Sequence, residues 1–169
     1  MGKYEFTDEI KVVNGIALHR IKAITDFGNV KVGELGGFIK KRANLSDEGN
    51  AWVSDNAEVC GNARVYGDAR VCDNAEVCGD ADYICIKGLG SEYRNTTFYN
   101  NKKGGVSVCC GCFYGTLDEF AAKVKETHAD NVYAKEYLAA VEVVKIHFGS
   151  RMINAMGSVK IRTNSGVKM

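Results

Sequence analysis

A six-residue motif that recurs five times without interruption over residues 53–82 constrains this chain more than any other feature. The units read VSDNAE, VCGNAR, VYGDAR, VCDNAE and VCGDAD. Valine opens each one (Val53, Val59, Val65, Val71, Val77), and alanine holds the fifth place (Ala57, Ala63, Ala69, Ala75, Ala81). The third place is Gly or Asp, a turn residue. The fourth is Asn or Asp, the residues that best tolerate a left-handed backbone after glycine. Each unit therefore offers a very short strand with one β-branched side chain, a tight turn, and a small residue where the chain bends. One unit cannot bury its valine alone, so the units must stack their valines into a shared interior.

The flanks carry ordinary local signals. Residues 45–52 resemble one more unit with a two-residue insertion. Residues 9–13 and 16–24 alternate apolar and polar around Asn14-Gly15, a strong hairpin signal. Gly28, Gly33, Gly36 and Gly37 punctuate a loop region leading into Phe38-Ile39. After the repeats, residues 84–86 read as an extension of the last unit that Gly88 and Gly90 break. A second hairpin is predicted from strands 96–99 and 106–110. Thr116 and Glu119 form a capping box, opening a helix whose apolar stripe is Leu117, Phe120, Ala121 and Val124. A second helix is predicted over 132–148, with Tyr133, Tyr137, Ala140, Val141 and Val144 on one face and Gly149 as its terminator. The resulting division is an N-terminal hairpin and cap (1–44), the repeats (45–86), an α+β module (87–149) and a basic tail (150–169).

Composition narrows the class. Hydrophobic content of 46% and charged content of 25% belong to an ordinary soluble globular chain. No apolar run approaches the ~20 residues of a membrane helix, and the polar start MGKYE lacks the core of a secretion signal, so an intracellular protein is expected. In that compartment the seven cysteines are expected as reduced thiols or metal ligands. Net charge is only +1, which argues against nucleic acid as partner. No acid follows Glu142, whereas Lys145, Arg151, Lys160, Arg162 and Lys168 do, a pattern of a solvated or disordered tail, or of contact with nucleic acid or an acidic partner.

No catalytic residue is expected. A transferase general base must reach the acceptor's proton, and the repeats contain no histidine; His19, His128 and His147 lie elsewhere. Cys109-Cys110-Gly111-Cys112 holds a C-x-x-C, half of a zinc site, but no second pair exists, and Cys110 reads as a buried strand residue. No metal or cofactor is expected. Cys60 and Cys78 share an outward place with Tyr66 and Cys72, where a redox pair is the alternative to composition drift. The candidate ligand-binding residues are Arg64, Tyr66 and Arg70, projecting from adjacent units, and Lys102-Lys103 at a hairpin tip. A basic and aromatic cluster of this kind suits an anionic ligand, offset by Glu58, Glu76 and Asp82.

The repeats resemble the left-handed parallel β-helix of the hexapeptide-repeat proteins, in which three units make one triangular coil. The resemblance implies a mainly β chain: a short left-handed parallel β-helix capped by an N-terminal β-hairpin and a C-terminal α+β module of hairpin plus two helices. Residues eighteen apart would then stack about one strand spacing, ~4.8 Å, from each other. Val59 would sit on Val77, Cys60 over Cys78, Arg64 beside Asp82, and Glu58 over Glu76. The last is a like-charge stack, unfavourable unless a basic group adjoins it. Residues 25–31, Gly36-Gly37-Phe38-Ile39 and Asn44-Leu45-Ser46 resemble the N-terminal block of small hexapeptide-repeat proteins carrying a transferase label. Residues 110–120, with 125–128 and 134–138, resemble the C-terminal module of phage and prophage proteins of Gram-positive bacteria. Many hexapeptide-repeat proteins are homotrimeric acyltransferases whose general base is typically a His near the coils; the repeats here hold none, His128 is the best remaining base, and a fold does not carry a function. The phage resemblance implies a non-catalytic, homo-oligomeric binding protein, a trimer by analogy, in the cytoplasm of the bacterial host. Its role would be counter-defence, inhibiting a host immune protein or sequestering a nucleotide signal. A hexapeptide-repeat acyltransferase and a structural or assembly protein are the alternatives.

Overall fold

Asn14 and Gly15 both take left-handed backbone conformations, with φ of 50° and 78°, and so close a two-residue hairpin whose twist matches its strands. The hairpin joins β1 (Tyr4–Val13) to β2 (Ile16–Ala23), pairing Val13 with Ile16 and Tyr4 with Ala23. The computed structural model describes residues 2–79 and 82–155. Strand β3 (Leu35–Ile39) lies antiparallel to β2.

The repeats supply four strands of two residues each: β4 (Trp52–Val53), β5 (Glu58–Val59), β6 (Arg70–Val71) and β7 (Glu76–Val77). Their partners lie eighteen residues away: Trp52 pairs with Arg70, Val53 with Val71, Glu58 with Glu76 and Val59 with Val77, all parallel. The amides of Trp52, Ser54, Glu58 and Cys60 donate to the carbonyls of Ala69, Val71, Ala75 and Val77 over 2.9–3.0 Å. All five repeat valines are fully buried, together with Ala57, Ala63, Ala69 and Ala75. The left-handed residue of a unit is the third and not the fourth: Asp55, Gly61, Gly67 and Asp73 have φ of 57–66°. At Gly61 this is doubly required, because a Cβ would run into the Cys78 carbonyl.

Beyond the repeats, β8 (Tyr83–Leu89), β9 (Arg94–Asn100), β10 (Val106–Cys110) and β11 (Phe113–Thr116) form an antiparallel sheet in the order β11-β10-β9-β8. Gly90, as expected, follows the end of the strand in the turn to β9, but Gly88 does not break it. Gly88 sits inside β8 at a register shift between Ile86 and Leu89, where a positive φ suits a bulge. Helix α1 (Leu117–His128) opens with the expected capping box, Thr116 and Glu119 satisfying each other's backbone amides. Helix α2 (Val132–Ala155) runs through Gly149, past the predicted stop. The tail from residue 156 onward lies outside the described residues.

Alternation across the sheet assigns its two faces. Tyr99 and Cys109 join the core of the repeats, whereas Phe98, Val108 and Cys110 pack with Phe120, Val124, Tyr137, Val141 and Val144 of the helices. Tyr133, placed on the predicted apolar face of the second helix, is 38% exposed, and Ala134 is buried in its stead.

The expected left-handed parallel β-helix is corrected by this topology. Strands fall into three separate sheets: a mixed one of order β1-β2-β3-β5-β7, the antiparallel one, and the β4-β6 pair. Two helices complete an α+β arrangement. The physical reason is the brevity of the repeat strands. A unit contributes two strand residues, so parallel pairing stays local, while the long ladders come from residues 4–23 and 83–116, which pair antiparallel. No helix among the described residues is long and apolar enough to cross a membrane.

Cys60 and Cys78 are joined by a disulfide, so the expectation of reduced thiols fails at this pair. Their outward place is covered by Val13, Ile16 and Leu18 of the hairpin and by Phe38, which form a satellite core around them. Closing an eighteen-residue separation limits the unfolded chain. Replacing both cysteines by serine is expected to cost about 2–3 kcal/mol in urea denaturation, and reductant should bring the unmodified protein to the same midpoint. Equal midpoints for variant and oxidised protein would show that the bridge contributes nothing.

Candidate ligand-binding grooves

The antiparallel sheet crosses the repeats at β6, where the Arg70 amide donates to Thr97 Oγ1 of β9 at 3.3 Å. On either side of this crossing the surface opens into a groove. The first, of about 1130 Å³, is lined by Arg64, Tyr66, Asp68, Tyr83, Lys87 and Asn95 among others. The second, of about 630 Å³, is lined by Asp55, Arg70, Cys72, Arg94, Cys109 and Tyr114 among others. Asp68 and Asn95 border both grooves, so the two adjoin.

Local structure explains which side chains reach them. Arg64 and Arg70 close their units at the sixth place, next to the inward Val65 and Val71. Tyr66 follows an inward valine and stands 63% exposed. Tyr83 anchors β8 to the repeats by donating its hydroxyl to the Arg64 carbonyl. The Arg94 side chain lies over Gly111, where a Cβ would collide with the guanidinium.

The electrostatics are mixed but not balanced. Asp68 pairs with Lys87 at 3.3 Å and accepts from Asn50 at 3.0 Å, and these donors, Lys87 foremost, hold its carboxyl below the usual range. Asp73 accepts from the Tyr114 hydroxyl, and Tyr114 is pushed up to about 12 by burial and by that bond. Among the described residues, Arg64, Arg70 and Arg94 have no ion-pair partner. A guanidinium unpaired beside a groove offers a planar fork of donors to carboxylate or phosphate.

The five residues singled out from the sequence do not form one cluster. Arg64 and Tyr66 share the first groove and Arg70 lines the second. Lys102 is committed to Glu58, 2.6 Å away, and Lys103 sits exposed in the turn between β9 and β10. Arg94, Lys87, Asn95 and Tyr114 were missed. They lie on strands of the antiparallel sheet, and only the docking of that sheet onto the repeats brings them to the grooves.

The remaining candidates are also placed. His19 lies in β2 with its ring 5.2 Å from that of Phe6. His128 stacks on Tyr137 at 5.8 Å and borders a third cavity of about 500 Å³ with Phe113, Phe120 and Lys123. Cys109 and Cys110 point to opposite faces of the sheet, as neighbouring strand residues must. No cluster of three metal-ligating side chains occurs among the described residues.

Cys72 is a half-buried thiol that lines the second groove. Its Sγ lies 3.0 Å from the hydroxyl of the buried Tyr99. A hydrogen bond from Cys109 holds its pKa below the ordinary thiol value, overcoming burial, with help from Tyr99 and the nearby Arg70. The same bond to Cys72, reinforced by burial, pushes Cys109 well up.

Comparison with protein-family models and with curated proteins finds no match for this chain.

Proposed function

We propose that the chain is a non-catalytic binding protein whose adjoining grooves take an anionic ligand with an aromatic ring, such as a nucleotide. The observation that carries this reading is the set of three guanidiniums without ion-pair partners around the two grooves, beside the open ring of Tyr66. Phosphate oxygens match the forks of Arg70 and Arg94, and a base can stack on Tyr66. Resemblance to phage and prophage proteins makes counter-defence in the host cytoplasm the fitting role, with sequestration of a nucleotide signal favoured over inhibition of a host protein by the groove chemistry. A homo-oligomer, trimeric by the same resemblance, belongs to the proposal.

Calorimetric titration with ATP, with a cyclic dinucleotide and with pyrophosphate tests it, alongside native mass measurement of the assembly. Binding of at least one nucleotide, tighter than pyrophosphate, is expected. The Arg70→Ala/Arg94→Ala variant should lose roughly tenfold or more in affinity per lost charge-assisted contact. Absence of binding to every probe, or unchanged affinity in the variant, would sink the reading.

A further inference from the structure

The second groove carries a feature that ligand binding does not use. Cys72 follows β6 at the edge of the repeats, half-buried, with its thiol opening on the groove. Cys109 lies on β10 and is paired with Thr97, the residue that receives the Arg70 amide. Distant parts of the chain thus bring two thiols to one groove and into one packed cluster, with the Tyr99 hydroxyl 3.0 Å from Cys72 Sγ. Neither thiol belongs to the Cys60–Cys78 bridge. Arg70 and Arg94 border the same groove.

We propose that Cys72 and Cys109 form a thiol–disulfide exchange site, in which Cys72 captures a low-molecular-weight disulfide bearing carboxylates and Cys109 resolves the adduct. The Cys72 thiolate, its proton given to solvent, attacks one sulfur of the disulfide. A new S–S bond forms, and the departing thiolate takes up a proton. Cys109 then loses its proton and attacks Cys72 Sγ, expelling the second small thiolate, which is protonated in turn. Two protein thiols are oxidised to one disulfide and the small disulfide is reduced to two thiols, so electrons and protons balance.

The environment suits both steps. Thiolate character governs the first attack, and the contacts around Cys72 favour the charged form. Cys109 is held protonated first of all by its bond to Cys72. Capping Cys72 removes that cause and leaves burial, the second one, in place. Arg70 and Arg94 can receive the carboxylates of the incoming disulfide. The product links the repeats to the antiparallel sheet across the floor of the groove. The exchange between the thiols stands whether or not a nucleotide binds there; only the preference for a carboxylate-bearing disulfide shares Arg70 and Arg94 with the proposed function.

Peptide mapping by mass spectrometry of the fully reduced protein, exposed to oxidised glutathione at neutral pH, reads the outcome directly. A Cys72–Cys109 disulfide is expected in the unmodified protein. The Cys109→Ser variant should accumulate the glutathione adduct on Cys72, and the Cys72→Ser variant should leave Cys109 unmodified. Capture of oxidised glutathione should be several-fold faster than capture of cystamine, a cationic disulfide, and Arg70→Ala/Arg94→Ala should abolish that preference. Adducts confined to the exposed Cys85 and Cys112, with Cys72 untouched, would overturn the proposal without any variant having to fold. A Cys72 adduct that never passes to Cys109 would overturn the resolving step. Equal rates for the two disulfides would overturn the arginine assignment.

Discussion

Replacing Lys11 and Lys102 together by alanine is expected to destabilise the protein by about 3 kcal/mol at neutral pH, the low end of the range for leaving one member of a buried ion pair alone. Glu58 is only 1% exposed, and both ammonium groups approach the same carboxylate oxygen at 2.6 Å. It also lies directly beside Glu76 in the parallel β5–β7 pair, so the expected like-charge stack is real, and the basic groups that relieve it are these two lysines. They come from different places, Lys11 from β1 and Lys102 from the turn after β9, and they tie hairpin, repeats and antiparallel sheet to one carboxylate. Burial alone would raise the Glu58 pKa, but the hydrogen bonds from Lys102 and Lys11 win and lower it. For a carboxyl lowered on folding, the contribution is fully present above the unfolded value of about 4.3 and is lost as pH falls through the folded one. Without the lysines, burial governs, the folded pKa rises above the unfolded one, and the penalty is relieved by protonation. The gap between the two proteins should therefore be largest at pH 7 and shrink towards pH 4. Urea denaturation at both pH values measures it. A gap below about 1 kcal/mol, as for a surface pair, or one independent of pH, would remove Glu58 from its role as clamp.

The periodic part of the chain was readable because its signals are local. A valine every six residues can only point inward, and the eighteen-residue register expected from the resemblance places Cys60 by Cys78 and Glu58 by Glu76 as found. Asn14-Gly15, the capping box at Thr116 and the pairing of β9 with β10 are equally local in origin. The architecture was not readable in the same way. The handed solenoid came from resemblance, and nothing in a six-residue unit says how far its two-residue strands will propagate. Gly88 looked like a break because a bulge glycine and a terminating glycine are the same letter; β9 alongside decides between them. Gly149 is carried within α2 as Val144 and Phe148 dock on the sheet, and packing outweighs a propensity cost of about 1 kcal/mol. The grooves divide along the same line. Arg64 and Tyr66 follow from repeat phase, whereas Arg94, Lys87 and the Cys72–Cys109 contact exist only because one sheet lies across the repeats.

The same crossing logic singles out Trp52, whose replacement by alanine is expected to cost about 3–5 kcal/mol, as for a large side chain removed from a closed core. It is the only tryptophan, fully buried, and its ring meets Phe27 edge-on at 5.4 Å. Gly36 of β3 approaches so closely that a Cβ there would lie 2.7 Å from Trp52 Cζ2 and 2.5 Å from Ile21 Cγ1. The indole thus fills the space between the N-terminal hairpin and the first of the two-residue strands, and the glycine is the complement of its volume. Its Nε1 is buried without a hydrogen-bond partner among the described residues. The ring therefore works by shape and apolar area, and phenylalanine should recover most of the loss, leaving a deficit of about 1–2 kcal/mol. Gly36→Ala should fail for the opposite reason, by overfilling, at about 1–3 kcal/mol. Denaturant midpoints of the three variants, followed by far-ultraviolet circular dichroism, test the set. If Trp52→Phe proved as damaging as Trp52→Ala, the indole N–H would have to be making a contact of its own, and the account of this core as filled by volume would be wrong.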